Sequence, residues 1–440
     1  MIEIRTIGGY GEFGRNCTAI KVGDEVVILD LGVHLENYIQ MTEDDDKEVS
    51  VDELTLAKAI PDLSLLGDWK EKVVAIVPTH AHLDHVGAIP YLANEFNATI
   101  YSTPFTDAVI RSILRDKKYD IRNEMKVVKL NSKHKISENI EIEFVNITHS
   151  VPDSAMVVVH TPEESIVYAN DFKLDNTPTL GDKPNLKRLK ELKGNVIALV
   201  IESLYAGVEG KTPSEKEAKD MLEKLLIDIN EDGKSIIVST FSSHISRLKS
   251  IVEIGKKIGR KIIFLGRSLS RYVEAAEEVG LIDFSDVEIK KYGKEIKKRM
   301  KTLVNEKDDY LIVCTGHQGE KRAVLSRMAN NELEFNFGSD DIVVFSCRVI
   351  PSEINEENRE ILEEELKKKG VVIYKDVHAS GHGCRDDLKE VISLLDPNYV
   401  IPAHGTLEKE NELAKAAEEL GYKIGEDVLV LKNGETIILE

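Results

Sequence analysis

Four residues within six positions have the types and spacing to do chemistry together. In "VPTHAHLDHVGAIP", Val77 to Pro90, the residues His80, His82, Asp84 and His85 form H-x-H-x-D-H. The chain has only 12 histidines, so three of them beside a carboxylate is a concentration of metal ligands. Neutral imidazole with carboxylate suits zinc, and manganese is compatible. On a strand end, His80 and His82 point to the same face. Asp84 and His85 are adjacent and can turn towards different ions. The pattern fits a dinuclear hydrolase, which holds two ions about 3.5–4 Å apart.

Such a centre needs more ligands than this motif supplies, and strand ends are where to look for them. "FVNITHS" ends a strand at His149, "IVYANDF" at Asp171 and "YVIPAHG" at His404. Singly, a histidine after a strand is more often structural. As a set following H-x-H-x-D-H, these three complete two ligand groups.

The elements that must position them alternate in type along the chain. The first two hundred residues read as short β-branched strands bounded by Gly, Asp, Asn or Pro, among them "DEVVILDLG", "KVVAIVPTH", "IEIEFVNITHS", "SIVYANDF" and "VIALVIES". A helix is expected from near Asp84 through "HVGAIPYLANEF". The segment from Glu36 to Leu63, which contains "TEDDDKE", reads as an acidic loop. Near Thr212 the pattern changes. "PSEKEAKDMLEKLLIDINEDG" is an amphipathic helix with Pro213 in its first turn and Gly233 after its end. "KSIIVSTF", "KIIFLG", "YLIVCTGHQG", "DIVVFSC" and "VVIYKDVHASG" then alternate with helices, as buried parallel strands do. The middle is therefore an α/β domain inserted into the first. The expected division is residues 1–207, an insert over 208–355, and a return over 356–440.

Bulk properties set limits. The chain has 440 residues, long enough for two or three domains, and is 42% hydrophobic. No stretch approaches the roughly 18 apolar residues of a membrane span. "MIEIRTIGGYG" lacks the basic and apolar regions of a signal peptide. Cys17, Cys314, Cys347 and Cys384 are far apart in sequence, which argues against a disulfide framework and suits the cytoplasm. The net charge of −20 counts against nucleic acid as a partner. Yet His244 to Lys301 carries 15 Lys and Arg against 8 Asp and Glu, a regional swing that points to an anionic ligand.

H-x-H-x-D-H followed by His149 and Asp171 at strand ends resembles the metallo-β-lactamase superfamily, an αββα sandwich. "VILDLG" resembles its first motif, whose aspartate, here Asp30, orients ligands. Glu202 in "ALVIES", His382 in "HASGH" and His404 in "PAHG" resemble the three further motifs of the β-CASP group, which process nucleic acids. "IGGYGEFGRN", "STFSSHISRL", "LGRSLSR", "TGHQGE" and "HASGH" are similar to segments of the ribonuclease J family. The chain departs from that family in three places. "FSCRVIPSEINEEN" keeps Pro351 but not the Pro-rich Ser run, "HGT" replaces H-G-E, and the chain stops at Glu440, before the C-terminal domain of bacterial members. The last point resembles a short archaeal form.

The resemblance implies metal-assisted hydrolysis of RNA phosphodiesters, with two zinc ions, or manganese in their place. His80, His82 and His149 would hold one ion. Asp84, His85 and His404 would hold the other, with Asp171 bridging. Asp84, Glu202 and His382 are the catalytic candidates, His382 as general acid oriented by Glu202. Arg267, Ser268, Gly316, His317, Arg348, His378, Ser380 and Gly381 are candidates for phosphate contact. An arginine fork suits a terminal monophosphate, and "ASGHG" admits close backbone approach. The family's substrate would be single-stranded RNA with a 5′ monophosphate, threading under an insert that closes like a lid and degraded 5′→3′ to mononucleotides. Binding should weaken steeply with salt. A homodimer is expected, and no membrane partner.

Three other readings share some of these features. An endonuclease of the same branch would use every metal ligand, but its archaeal members usually carry N-terminal RNA-binding domains, and here the metal motif begins at His80. A thioesterase or lactamase would not need the insert or "HASGH". A metal-dead subunit would have lost ligands, and all seven are present.

Overall fold

The structure is a computed structural model and describes residues 1–42, 49–231, 233–350 and 352–439. Most of the acidic run "TEDDDKE" and Pro351 lie outside the described residues. The chain divides into two compact units. The first comprises Met1–Asn176, Gly181–Thr212 and Gly381–Glu440. The second comprises Thr177–Leu180 and Pro213–Ser380.

The first unit is built on a seven-stranded and a six-stranded sheet. Strands Ile2–Gly8, Cys17–Val22, Glu25–Leu29 and Val73–Val77 belong to the seven-stranded sheet. Strands Glu141–Asn146, Ala155–His160, Ser165–Ala169, Val196–Glu202 and Tyr399–Ala403 belong to the other. One core joins the sheets: Ile4, Ile20, Val27 and Leu29 share it with Phe144, Val157, Ile166, Val200 and Ile401. On the far face of the six-stranded sheet, Val145, Val158 and Leu199 pack with Leu189, Leu388 and Leu413 from helices Leu186–Glu191, Arg385–Leu395 and Leu407–Glu418. Helix Pro104–Lys117 buries Phe105, Val109 and Ile113. This is the mixed α/β sandwich expected from the sequence, with an inserted α/β domain as the second unit.

The second unit carries a six-stranded parallel sheet. Strands Ile236–Ser239, Tyr310–Cys314 and Ile342–Phe345 are buried throughout. Continuous apolar runs, rather than alternation, mark strands covered on both faces. The expected insert ended at residue 355, but the compact unit continues to Ser380. The reason is pairing: Val372–Tyr374 adds to the same sheet, parallel to Ile342–Phe345, and helix Glu353–Lys368 connects the two.

Two local expectations need correction. The region read as a loop between Glu36 and Leu63 contains helices Leu35–Thr42 and Val51–Leu56. The second starts on a capping box in which Ser50 and Glu53 satisfy each other's backbone N–H. The helix expected from Asp84 is broken into Leu83–Val86, Ile89–Leu92 and a 3₁₀ turn, Ala93–Glu95. Pro90 restarts the helix because its ring fits a first turn, not an interior.

Candidate metal centre and active site

Strand ends from both sheets deliver the candidate residues. Val73–Val77 runs into His80, His82, Asp84 and His85, and its parallel neighbour Glu25–Leu29 runs into Asp30. Ser165–Ala169, Val196–Glu202 and Tyr399–Ala403 pair in parallel, so Asp171, Glu202 and His404 emerge at one edge. Asp30, Asp171 and His404 sit at φ of 59°, 58° and 50°. Left-handed backbone at a non-glycine residue costs on the order of 1–3 kcal/mol and clusters at functional sites. Gly32 is required here, because a Cβ would stand 1.6 Å from the Asp84 carbonyl oxygen.

Two donor sets form around one carboxylate. In the first, His82 Nδ1 lies 3.1 Å from both His80 Nε2 and His149 Nε2. Asp171 Oδ2 lies 3.6 and 3.7 Å from the same two Nε2 atoms. In the second, His85 Nε2 stands 3.5 Å from Asp84 Oδ2 and 3.2 Å from Asp171 Oδ2. His404 Nε2 stands 3.7 Å from Asp84 Oδ2 and 3.4 Å from Asp171 Oδ1. Two nitrogens on a tetrahedral zinc at its usual bond length stand about 3.3 Å apart. The donors therefore fit divalent ions, and Asp171 belongs to both sets. Asp171 Oδ1 is buried without a hydrogen-bond partner, an open acceptor of the kind an ion satisfies.

The surrounding residues fix which imidazole nitrogen is offered. His85 Nδ1 donates to Asp30 Oδ2 at 2.7 Å, and His149 Nδ1 to the Gly381 carbonyl at 2.7 Å. His80 Nδ1 meets Thr79 Oγ1, which itself donates to Asp30. His404 Nδ1 donates to Asn16 Oδ1 at 3.0 Å. These bonds turn Nε2 of each ring towards the centre, where Asn16 Nδ2 also lies 3.1 Å from His85 Nε2. Burial pushes His80 and His149 well below the ordinary histidine range and His82 to about 4, so they are neutral donors. Burial opposes charge on Asp84 and Asp171, but His85 and His404 hold both carboxyls low. Asn16 and Thr79 were not singled out from the sequence. Asn16 lies within the Gly-rich "IGGYGEFGRN", which was the available signal.

A third group joins Asp171 to Glu202 and His382. Glu202 is fully buried; its Oε1 accepts from the Phe172 N–H and its Oε2 from His382 Nδ1, both at 2.7 Å. Burial works against charge on His382, but Glu202 and Asp171 raise it to about 9. That shift favours the protonated imidazole, with Nδ1 held by Glu202. The Tyr205 ring lies 6.1 Å from it.

The phosphate candidates divide between the units. Gly381 belongs to the first, where its carbonyl serves His149 and a Cβ would stand 2.8 Å from that ring. The other seven follow the carboxyl ends of the parallel strands of the second. Arg267 and Ser268 follow Lys261–Leu265, Gly316 and His317 follow Tyr310–Cys314, Arg348 follows Ile342–Phe345, and His378 and Ser380 follow Val372–Tyr374. That edge is where open α/β sheets bind ligands. Ser268 Oγ lies 2.9 Å from Ser242 Oγ, and Arg267 and Arg348 are exposed. His317 is buried against Phe241, 4.3 Å between rings. Burial lowers His378 to about 2, with Arg247, His244 and Arg348 adding to the effect. Arg247 is itself fully buried and engaged, donating to Glu215 and Ser346. The basic swing from His244 to Lys301 is partly neutralised within the unit. Lys256 pairs with Asp286, Lys257 with Glu223, Lys291 with Glu274 and Arg299 with Glu288.

A mixed sandwich with two histidine and carboxylate sets sharing Asp171 defines a metal-dependent hydrolase of the metallo-β-lactamase superfamily. Family profiles agree: "Metallo-beta-lactamase superfamily" matches residues 10–229, "Ribonuclease J, beta-CASP domain" residues 233–363, and "Zn-dependent metallo-hydrolase RNA specificity domain" residues 372–429. The chain is 43% identical to ribonuclease J of Methanocaldococcus jannaschii over 100% of its own length and 99% of the relative's. It is 41% identical to ribonuclease J of Pyrococcus abyssi over 99% and 97%. It is 33% identical to ribonuclease J 1 of Streptococcus pyogenes, covering 100% of this chain and 74% of that one. A solved structure of a protein of unknown function from Enterococcus faecalis V583 shares the fold, with a TM-score of 0.68 at 18% identity over 100% of both chains. The chain belongs to the ribonuclease J family and is a metal-dependent, hydrolytic ribonuclease. Among the described residues, no helix is long and apolar enough to cross a membrane.

Proposed function

We propose that the chain is a 5′→3′ exoribonuclease that degrades single-stranded, 5′-monophosphorylated RNA to mononucleotides with two zinc ions. The observation that carries the two-ion hydrolysis in this reading is the membership of Asp171 in all three donor groups. One carboxylate would serve both ions and stand beside the acid that protonates the leaving group. His80, His82, His149 and Asp171 would hold one ion; Asp84, His85, His404 and Asp171 would hold the other. When bound, divalent ions supply a water of lowered pKa and neutralise charge on the phosphate.

The chain's own residues do the rest. Asp30, Asn16, Thr79 and the Gly381 carbonyl orient the rings. His382 gives its Nε2 proton to the departing 3′ oxygen, while Glu202 holds the ring and stabilises its charge. The 5′ preference is supported by the serines and exposed arginines at the carboxyl edge of the insert's sheet, where a terminal phosphate would find an arginine fork. The reading also takes the protein to act in the cytoplasm as a homodimer, which sedimentation would check.

The test uses one RNA with a 5′ monophosphate or a 5′ triphosphate, labelled at that end, with zinc or manganese present. Prompt release of labelled mononucleotide from the monophosphate form alone is expected. Internal fragments from both forms would replace this reading with an endonuclease. Undiminished cleavage by His82→Ala would remove the metal assignment.

A further inference from the structure

Residues 111–135 carry nine Lys and Arg against three Asp and Glu. In a chain with 78 acidic and 58 basic residues, a patch drawn at random is acidic on balance. All nine cations are exposed. The segment comprises the last turns of helix Pro104–Lys117, strand Met125–Val127 and strand Ser132–Lys135. These strands are the edge strands of the seven-stranded and six-stranded sheets, so the cations line one edge of the sandwich. Among the described residues, Lys118, Lys129 and Lys135 have no carboxylate within ion-pair distance, and Lys117 lies only over the rings of Tyr38 and Tyr91.

Two structural habits explain part of this. Lysines on edge strands discourage sheet-to-sheet aggregation, which covers Lys126, Lys133 and Lys135. Cations near a helix C-terminus offset its dipole, which covers Arg115 and Lys117. Neither explains Lys118, which caps the helix at φ 55°, a position where glycine is the ordinary choice. Nor do they explain the aromatic rings at the same place. Tyr119 is 41% exposed and packs edge-on against Tyr91, 5.2 Å between rings, with Lys117 beside them. Unpaired cations flanking an accessible aromatic ring are what a single strand of RNA binds: phosphates to the lysines, a base to the ring.

We infer that this edge of the first unit is a second RNA-binding surface, separate from the metal centre, which holds substrate beyond the nucleotides being cut. Resting on the ribonuclease reading, it makes a specific claim about length. Short RNA is cleaved without it; long RNA depends on it.

The experiment compares the metal-loaded wild type with Lys117→Gln/Lys118→Gln/Lys129→Gln. A control, Lys187→Gln/Lys190→Gln/Lys193→Gln, makes the same charge change on another exposed face of the unit. Substrates are 5′-monophosphorylated oligoadenylates of about 8 and about 30 nucleotides, assayed across a salt series. With the 30-mer, kcat/KM should fall about tenfold in the first variant only, and its log–log salt slope should flatten by about 2, near 0.7 per lost phosphate contact. The 8-mer should be cleaved equally by all three proteins. Equal loss on both lengths, equal loss in the control, or an unchanged 30-mer would each overturn the second surface. A wild type that cleaves neither RNA would instead overturn the ribonuclease reading.

Discussion

At the scale of single residues, the centre separates its histidines by what surrounds them. His80, His82 and His149 are buried neutral donors, whereas His382 faces Glu202 and keeps its proton. The division matches two tasks, ligation and proton donation, within rings 5.0 Å apart between His149 and His382. His382→Ala should lower kcat by about 10²–10⁴ while zinc content stays at the wild-type value. Glu202→Gln keeps a partner for the Phe172 N–H but removes the charge that supports His382. A general acid works while protonated, so activity falls as pH rises through its pKa. Without the Glu202 charge that pKa drops, and the alkaline limb of the kcat profile should move to lower pH. A limb that does not move would show that His382 is not the titrating acid.

At the scale of elements, strand ends do the positioning, and one helix carries a strained carboxyl. Glu410, in helix Leu407–Glu418, is fully buried. Burial raises its carboxyl to about 7, against the help of the Gly11 N–H, with Glu12 adding to the rise. Its Oε1 accepts that N–H at 2.7 Å, and its Oε2 has no partner. An acid whose folded pKa exceeds its unfolded value of 4.5 binds more protons when folded. Stability therefore declines from about pH 4.5 to 7 as this carboxyl ionises. Glu410→Gln should be more stable than wild type at pH 8, by up to about 3 kcal/mol, and equal to it near pH 4. Thermal unfolding at both pH values measures this, and a gain of the same size at both would assign the effect to packing.

The same elements explain what the sequence disclosed. Strands were legible because buried parallel strands are uninterrupted apolar runs, as in "VIALVIE" and "YLIVC". H-x-H-x-D-H was legible because its ligands are adjacent in the chain. The helices at Leu35–Thr42 and Val51–Leu56 were not, since each buries a single residue, Tyr38 and Leu54, among acidic neighbours. Asn16 was not either, because its role depends on His404, 388 positions away. The compact unit runs past residue 355 to Ser380, and composition does not show this because Val372–Tyr374 is only three residues long and joins the sheet by pairing.

At the scale of the whole molecule, an acidic chain handles an acidic substrate by concentrating its cations. The net charge of −20 coexists with basic stretches, and pairing within the second unit uses part of one of them. Every element of the proposed chemistry nevertheless depends on one claim, that Asp171 holds two ions together. The direct measurement is zinc bound per chain, by elemental mass spectrometry after dialysis against trace zinc, for wild type, His149→Ala, His404→Ala and Asp171→Asn. Two zinc ions per chain are expected in the wild type, about one after either histidine substitution, and fewer than one after Asp171→Asn. A wild type that holds a single ion, or an Asp171→Asn protein that still holds two, would contradict the shared centre.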